Sequence, residues 1–427
     1  MALRTVRLRP LEESEKAMFH KHVCPSKFSG GPLDSVEADG TRFLHLEEED
    51  KSPASGGRPV IRHLKRKLLS GQDLDLPNGE DVKMWIIEAP DADEGRRTFP
   101  SKPIRVVEGE VIHAKVKNSS GPHTIHWHGI EPSTGNDGVG HTSWEASSAF
   151  TYQWQASCAG TYFFHCHKNT VLHFQRGLFG VLIIDPPKPA AMEGPQPPYP
   201  NGGPGFVRRR DEVLRYDVEQ WWAGGEIDTR WSDLGHDEAM QDCDEDAPVD
   251  PSGFTQDGFL NQFHPDVFFV AGVPGQVGLG QVRQRNGLPR IPANFSFPEV
   301  AVHARVNDAV LVRVLNAGYT VKQYRIGRKE DAGKLDLEVI ATDGRTLGSR
   351  SCKGDFSEPF RLEPGEPLSP PFGPLSTARR FDLMIRPRTA GTFPVQMEFY
   401  DWRATYTGSQ PDAAFLYATA HTSINVD

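Results

Sequence analysis

Long apolar runs are missing from this chain of 427 residues. None approaches the ~20 residues that a membrane-crossing helix needs, so no membrane span is expected. The opening residues, Met1 to Arg7, lack the apolar stretch of a secretory leader, and the expected location is therefore cytoplasmic. An excess of basic charge is missing too. Lys and Arg number 47 against 57 Asp and Glu, and the net charge of −10 excludes nucleic acid or an anionic membrane as the main partner. Cysteine is scarce: of five, none stands in a Cys-x-x-Cys spacing, and the pairing of Cys24, Cys158, Cys243 and Cys352 is left open.

Turn formers, by contrast, are plentiful. Gly 41 and Pro 35 beside Phe 24 favour an all-β protein over a helical one, and the length exceeds a single hydrophobic core. Residues 1–78 read as an N-terminal extension, loop-like at 26–40 and 51–57, with a basic run over 60–70 that suits a solvated surface. This extension holds a His-x-His pair, His20 and His22. Residues 79–186 read as a first domain, in which 83–89 alternates as a strand and 105–118 gives a turn and another strand. Residues 187–208 form a linker dense in Pro and Gly. Residues 209–427 form a second domain, interrupted by an acidic, loop-like stretch at 235–258.

The densest chemistry lies between His123 and Leu178. Residues 160–167 run Gly-Thr-Tyr-Phe-Phe-His-Cys-His, aromatic and β-branched, and read as a strand. Side chains alternate along a strand, so His165 and His167 point one way and Cys166 the other. A soft thiolate with an imidazole a few residues on, here His173, suits copper held by Cys and two His with a long or absent axial ligand. Upstream, His126 and His128 share a face, while His123 has the opposite parity and reaches back towards the thiolate side. The two stretches offer one group of Cys166, His123 and His173 and a second of His126, His128, His165 and His167. One strand would then join two metal sites through a few covalent bonds. A single histidine is commonly an ordinary surface or core residue; six in this register with a cysteine point to metal.

These residues resemble the multicopper oxidases, a family of cupredoxin fold. The pattern His-x-x-His-x-His-Gly stands at 123–129, and Gly-Thr-Tyr-x-x-His-Cys-His follows at 160–167. The resemblance implies two tandem cupredoxin-like Greek-key β-barrel domains, with copper as the cofactor. It implies His123, Cys166 and His173 as blue-copper ligands, and His126, His128, His165 and His167 as half of a trinuclear copper cluster. Leu178 falls where the family places its axial residue, and a non-ligating side chain there raises the potential. In Asn136-Asp137-Gly138-Val139, Asp-Gly by itself is a turn. The resemblance adds an acid beside the cluster, Asp137, that helps deliver protons to bound oxygen. The spacing from Cys166 to His173 is longer than in typical oxidases and shorter than in copper nitrite reductases. Members of the family mostly work outside the cytoplasm.

The second domain repeats the first. Residues 302–316 parallel the strand pair ending at Asn118, and counting on without gaps lays 321–327 against 123–129 and 391–398 against 160–167. Every ligand position is vacated: Tyr324 faces His126, Ile326 faces His128 and Met397 faces Cys166. The family builds its cluster from half-sites on two domains, and this chain encodes one. The other half would come from a different polypeptide, from His20 and His22, or from a symmetry copy, so a homo-oligomer or a partner subunit is expected. Two functions stay open. One is a copper oxidase that passes electrons from a small-molecule or metal-ion reductant to dioxygen. The other is a cupredoxin-type electron-transfer or copper-binding subunit without a complete cluster.

Overall fold

The computed structural model describes residues 35–36, 42–43, 61–89, 98–118, 123–132, 134–139, 143, 146, 149–233, 263, 265–276, 291–350, 358–368, 375–407 and 410–427. His20, His22, the acidic stretch 235–258, Cys24, Cys243 and Cys352 lie outside the described residues. Among the described residues no helix is long and apolar enough to cross a membrane.

The first unit is built from β1 (Ile61–Asp75), β2 (Asp81–Glu88), β3 (Ser101–Val107), β4 (Val111–Lys117), β5 (His126–His128), β6 (Ala149–Gln155), β7 (Gly160–His165) and β8 (Phe179–Asp185), with a short helix α1 (Thr170–Gln175) between the last two. They form two four-stranded sheets, ordered β2-β1-β4-β6 and β3-β8-β7-β5. The pairs β1/β4 and β3/β8 are parallel, the others antiparallel, so the chain crosses between sheets in Greek-key fashion. Alternating apolar positions from both sheets meet in one core that includes Ile112, Val116, Trp127, Tyr152, Phe164 and Cys166.

Residues 61–75 depart from expectation. The basic run assigned to the extension is instead a strand of the first sheet, paired on both sides. Leu64 and Leu68 pack on the core, while Lys65 and Lys67 alternate onto the other face beside Lys115 and Lys117 of β4. Charge on one face hid a strand whose other face is apolar.

The principal strands of the second unit are β9 (Val218–Ile227), β10 (Val267–Val270), β11 (Val310–Asn316), β12 (Val321–Ile326), β13 (Leu335–Thr342), β14 (Arg380–Pro387), β15 (Gly391–Tyr400) and β16 (Leu416–Val426). One sheet runs β10-β9-β11-β14-β13 and the other β16-β15-β12. Tyr324 pairs with Met397 across β12 and β15, as His126 pairs with His165 across β5 and β7. Met397 therefore stands against His165, one residue off the gapless count, and the ligand positions remain vacant. The linker is also more ordered in its contacts than its composition implies. Tyr199 is buried, its N–H donating to Asp185 Oδ2 at 2.9 Å and its hydroxyl to Pro186 O at 2.6 Å. Gly205–Arg209 pairs with Glu212–Tyr216 as a small ribbon.

The two units share an apolar seam in which Phe163, Phe174 and Phe179 meet Ala223, Phe269 and Leu315. Beside it runs a buried chain of charges. Arg105 binds Asp185 at 2.7 Å and Glu219 at 2.6 Å, and Arg313 binds Glu219 at 2.7 Å and Asp382 at 3.2 Å. Thr161 of β7 donates to Asp382 at 2.5 Å and accepts from Arg313 at 2.7 Å. Burial alone would raise the Glu219 carboxyl, but Arg313 and Arg105 hold it below its usual range. Removing one member leaves buried charges unpaired, a loss of about 3–5 kcal/mol. Arg313→Ala should therefore lower the urea midpoint by that equivalent. Lys83→Ala, which breaks an exposed pair with Asp73, should leave the midpoint close to that of the wild type. Equal midpoints for the two variants would show that the buried network does not hold the units together.

Candidate metal centre

β7 ends at His165, and its ladder with β8 continues for one more bond, from Cys166 N to Leu178 O at 2.9 Å. The chain is thus still extended where the three potential ligands follow one another. Cys166 turns into the first unit's core, with Phe164 and Leu178. Its Sγ lies 3.4 Å from His123 Nδ1 and 3.3 Å from His173 Nδ1. All three residues are buried, and their donor atoms lie within 4.8 Å of one another. His123 is held by backbone bonds to and from Ala146. His173 sits on α1, and its carbonyl accepts from Leu178 N at 3.1 Å. Leu178 is therefore tied by main-chain bonds to both Cys166 and His173 while its side chain adds no donor.

Trp85 closes this group from outside. Its half-buried ring lies 5.3 Å from His173 and 6.2 Å from His123 between centroids, with the Arg176 guanidinium over it at 4.5 Å. A ring of this size keeps bulk water off the imidazoles.

The other face carries the second group. His126 and His128 stand on β5, with His126 opposite His165 and His128 opposite Phe163. Donor atoms of His126, His128 and His165 all lie within 4.8 Å of one another. His167 stands beside them, its ring 5.3 Å from His126 and 5.7 Å from His165 between centroids. Its N–H donates to Thr124 Oγ1 at 2.9 Å. Two of the rings are oriented by the backbone. His126 Nδ1 donates to Asp137 O at 2.7 Å and His165 Nδ1 to Cys166 O at 2.9 Å, which leaves each Nε2 with its lone pair, the tautomer a metal ligand needs. Burial, with Arg380 nearby, pushes His128 down to about 3. Burial likewise holds His165 well below its usual value, so both stay neutral.

Asp137 lies where expected, its carboxylate 3.3 Å from His126 Nδ1 and partly exposed. The following Gly138 has φ +71°, and a Cβ there would sit 1.9 Å from Ile125 O. Only glycine lets the acid-bearing turn lie this close to the His126 strand. Phe163 stacks on both His128 (4.4 Å) and His165 (5.0 Å), and Arg380 of the second unit lies 5.6 Å from its ring centre. Trp85, Thr124, Phe163, Arg176 and Arg380 escaped sequence reasoning. Trp85 and Phe163 read as strand aromatics there, and no spacing rule ties Arg380 to His128.

The comparisons with known proteins bear on these groups. The family model described as "Multicopper oxidase" matches residues 96–189, the segment that holds every residue of both groups. Residues 96–189 are thus similar to a multicopper oxidase domain. The chain is similar to Copper resistance protein A of Escherichia coli, 34% identical over 125 residues, 28% of this chain and 20% of the relative. It is also similar to L-ascorbate oxidase of Cucumis sativus, 32% identical over 189 residues, 39% of this chain and 29% of the relative. The matches thus span a fifth to under a third of those relatives. Among solved structures, the blue copper oxidase from Nitrosomonas europaea superposes with TM-score 0.51 at 18% identity over 86% of each chain. The multicopper oxidase mgLAC gives 0.50 at 20% identity over 86% of this chain and 87% of its own. The fold is therefore that of two cupredoxin-like domains.

Multicopper oxidases bind copper, and the donor chemistry of this domain fits it. A thiolate with two imidazoles, closed off from water and with an aliphatic Leu178 beside it, suits copper in a trigonal site. Three clustered imidazoles suit a second copper position. In protein loaded with cupric salt, His123→Ala should bleach the intense visible thiolate-to-metal band, as should Cys166→Ser. His165→Ala and His126→Ala should leave it near wild-type strength, and identical spectra for His123→Ala and His165→Ala would refute the two-faced arrangement.

Proposed function

We propose that the protein is a laccase-like copper oxidoreductase: Cys166, His123 and His173 would hold a copper that supplies one-electron oxidation of a small-molecule or metal-ion reductant, and the histidine group would hold copper that supplies the reduction of dioxygen. One observation carries the reading. The two donor sets stand back to back on one strand end, with Cys166 covalently flanked by His165 and His167. Copper at the two groups would supply the one-electron chemistry.

The protein's own residues supply the rest. The Cys166 main chain leads directly to His165, and the 2.9 Å bond from His165 Nδ1 to the Cys166 carbonyl adds a shorter path between the groups. Trp85 excludes water from the thiolate side. Leu178 offers no electron pair and so favours the reduced state. The Asp137 carboxylate, 3.3 Å from His126 and open to solvent, can hand protons from bulk water to the histidine face. The alternative, an electron-transfer or copper-binding subunit, accounts for the vacated second domain but leaves His126, His128, His165 and Asp137 without a purpose.

A half-cluster implies that its complement comes from a second copy or another polypeptide, so we propose an oligomer or a partnered subunit. Cys158 is disulfide-bonded. Disulfides persist in oxidising compartments, which favours an extracytoplasmic setting over the cytoplasmic one expected from the sequence.

The decisive experiment measures copper per chain, mass in solution and oxygen uptake with a reductant on the same preparation. The oxidase reading expects more than one copper per chain, an assembly and oxygen consumption. A monomer loaded with one copper that consumes no oxygen with any donor would overturn it. In the active protein, Asp137→Asn should lower kcat by about 100-fold or more while the visible band stays. Leu178→Met should keep the band and lower the reduction potential, because a thioether donor stabilises the cupric state; an unchanged potential would remove Leu178 from the axial role.

A further inference from the structure

We infer that the second domain, which among the described residues holds none of the metal-binding groups, sets the position of His173, and that Tyr319 is the positioning residue through which it does so. The inference rests on reading Cys166, His123 and His173 as a copper site.

His173 reaches Cys166 from α1, a helix of six residues. A helix this short does not hold itself in water, so its geometry has to come from packing. Within the first domain Thr170 Oγ1 donates to His167 O at 3.0 Å, Trp85 N to Arg176 O at 2.5 Å and Leu178 N to His173 O at 3.1 Å; its other side-chain anchors come from the second domain. Tyr319 donates its hydroxyl to Val171 O at 2.9 Å and approaches Thr170 O at 3.3 Å, and its ring lies 6.0 Å from Phe174. Gln175 Nε2 donates to Glu226 O at 3.1 Å, and its Oε1 accepts from Asp228 N at 3.4 Å. Arg176, which follows the helix, donates to Ser232 O. The helix is gripped at its first turn by Tyr319 and at its last by β9 and the turn beyond.

The grip has a rigid base. Tyr319 N and Thr320 N both donate to the Glu226 carboxylate, the latter at 2.9 Å, and Thr320 Oγ1 adds a bond of 2.6 Å. Glu226 is fully buried and paired with Lys322 at 2.8 Å, whose ammonium also donates to Asn316 Oδ1 at 2.6 Å. The line from Lys322 through Glu226 and Tyr319 to α1 ends at His173 Nδ1, 3.3 Å from the thiolate. Nothing in that line gives way cheaply, because each buried polar group on it is bonded. The spacing between Cys166 and His173 thus forms a docking element with its geometry imposed from the second domain.

Tyr319→Phe tests this, since it keeps the ring against Phe174 and removes only the hydroxyl. In the metal-free protein, amide hydrogen exchange of residues 170–176 should quicken by about fivefold, the equivalent of one hydrogen bond of about 1 kcal/mol. In protein loaded with cupric salt, the visible band and the electron paramagnetic hyperfine splitting should shift, and release of copper to a chelator should quicken by a similar factor. Tyr417→Phe, which loses a bond to Asp401 elsewhere in the second domain, should change neither the exchange of 170–176 nor the spectrum. Gln175→Ala offers a second route to the same readouts if Tyr319→Phe does not fold. Exchange and spectrum equal to wild type in Tyr319→Phe, or equal shifts in Tyr417→Phe, would overturn the inference. A wild type with no thiolate band would instead refute the copper reading, and the exchange measurement would still decide whether Tyr319 holds the helix.

Discussion

The alternation of side chains over His165, Cys166 and His167 is the constraint on which everything else depends. An extended chain turns successive residues to opposite faces. Here that places a thiolate among Phe164, Trp127 and Leu178 inside the first sandwich, and an imidazole on each side of it against the other face. No fold that curled these three residues into a helix could do this, because residues one apart on a helix lie about 100° apart, not on opposite faces. The β7–β8 ladder, prolonged by the bond from Cys166 N to Leu178 O, is what keeps the chain extended at the critical point. The donor set for one redox centre and the donor set for another are therefore separated by one residue of backbone, and neither can move without the other.

The histidine face is also the face on which the second domain docks. Thr161, Phe163 and His165 share it, and the second domain meets the first two: Asp382 and Arg313 at Thr161, Arg380 at Phe163. A cation over an aromatic ring contributes about 0.5–2 kcal/mol, and Arg380 makes that contact on the very ring that stacks on His128 and His165. The second domain thus occupies the ground beside the half-cluster with a guanidinium rather than with imidazoles. His126, His128 and His167 keep some exposure on that face.

Much of the site was legible because its signal is local. Parity over a few residues separated His123 from His126 and Cys166 from His165, and each fell on the face the parity assigned. The all-β class followed from composition and alternation in the same way. What escaped depended on partners far apart in sequence. Nothing in the sequence pairs Arg105, Glu219, Arg313 and Asp382, and only the docked sandwiches bring them within 3.2 Å of one another's oxygens and nitrogens. β1 was hidden because its polar face is basic, and a charge run outweighed the Leu64 and Leu68 alternation. The offset of Met397 from the gapless count has a similar origin: strand pairing, not residue counting, sets register, and one residue's difference in the connection is invisible until the partners are seen.

The second domain buries Lys322 with Glu226, and that pair calls for a physical reason. Both are fully buried, and burial lowers the Lys322 ammonium despite its partner. Such a pair is weak evidence for stability, since apolar residues of the same volume commonly serve as well or better. What a buried, fully bonded pair does provide is a single arrangement, because any shift leaves a charge unpaired at several kcal/mol. That property is of little use in a sheet held by Val312, Leu383 and Val395, which pack into register without help. It is of use at the loop from Asn316 to Thr320, where the Tyr319 and Thr320 N–H groups take Glu226 as their acceptor. The buried pair makes this part of the second domain a fixed mount, and the element mounted on it is the helix that carries His173.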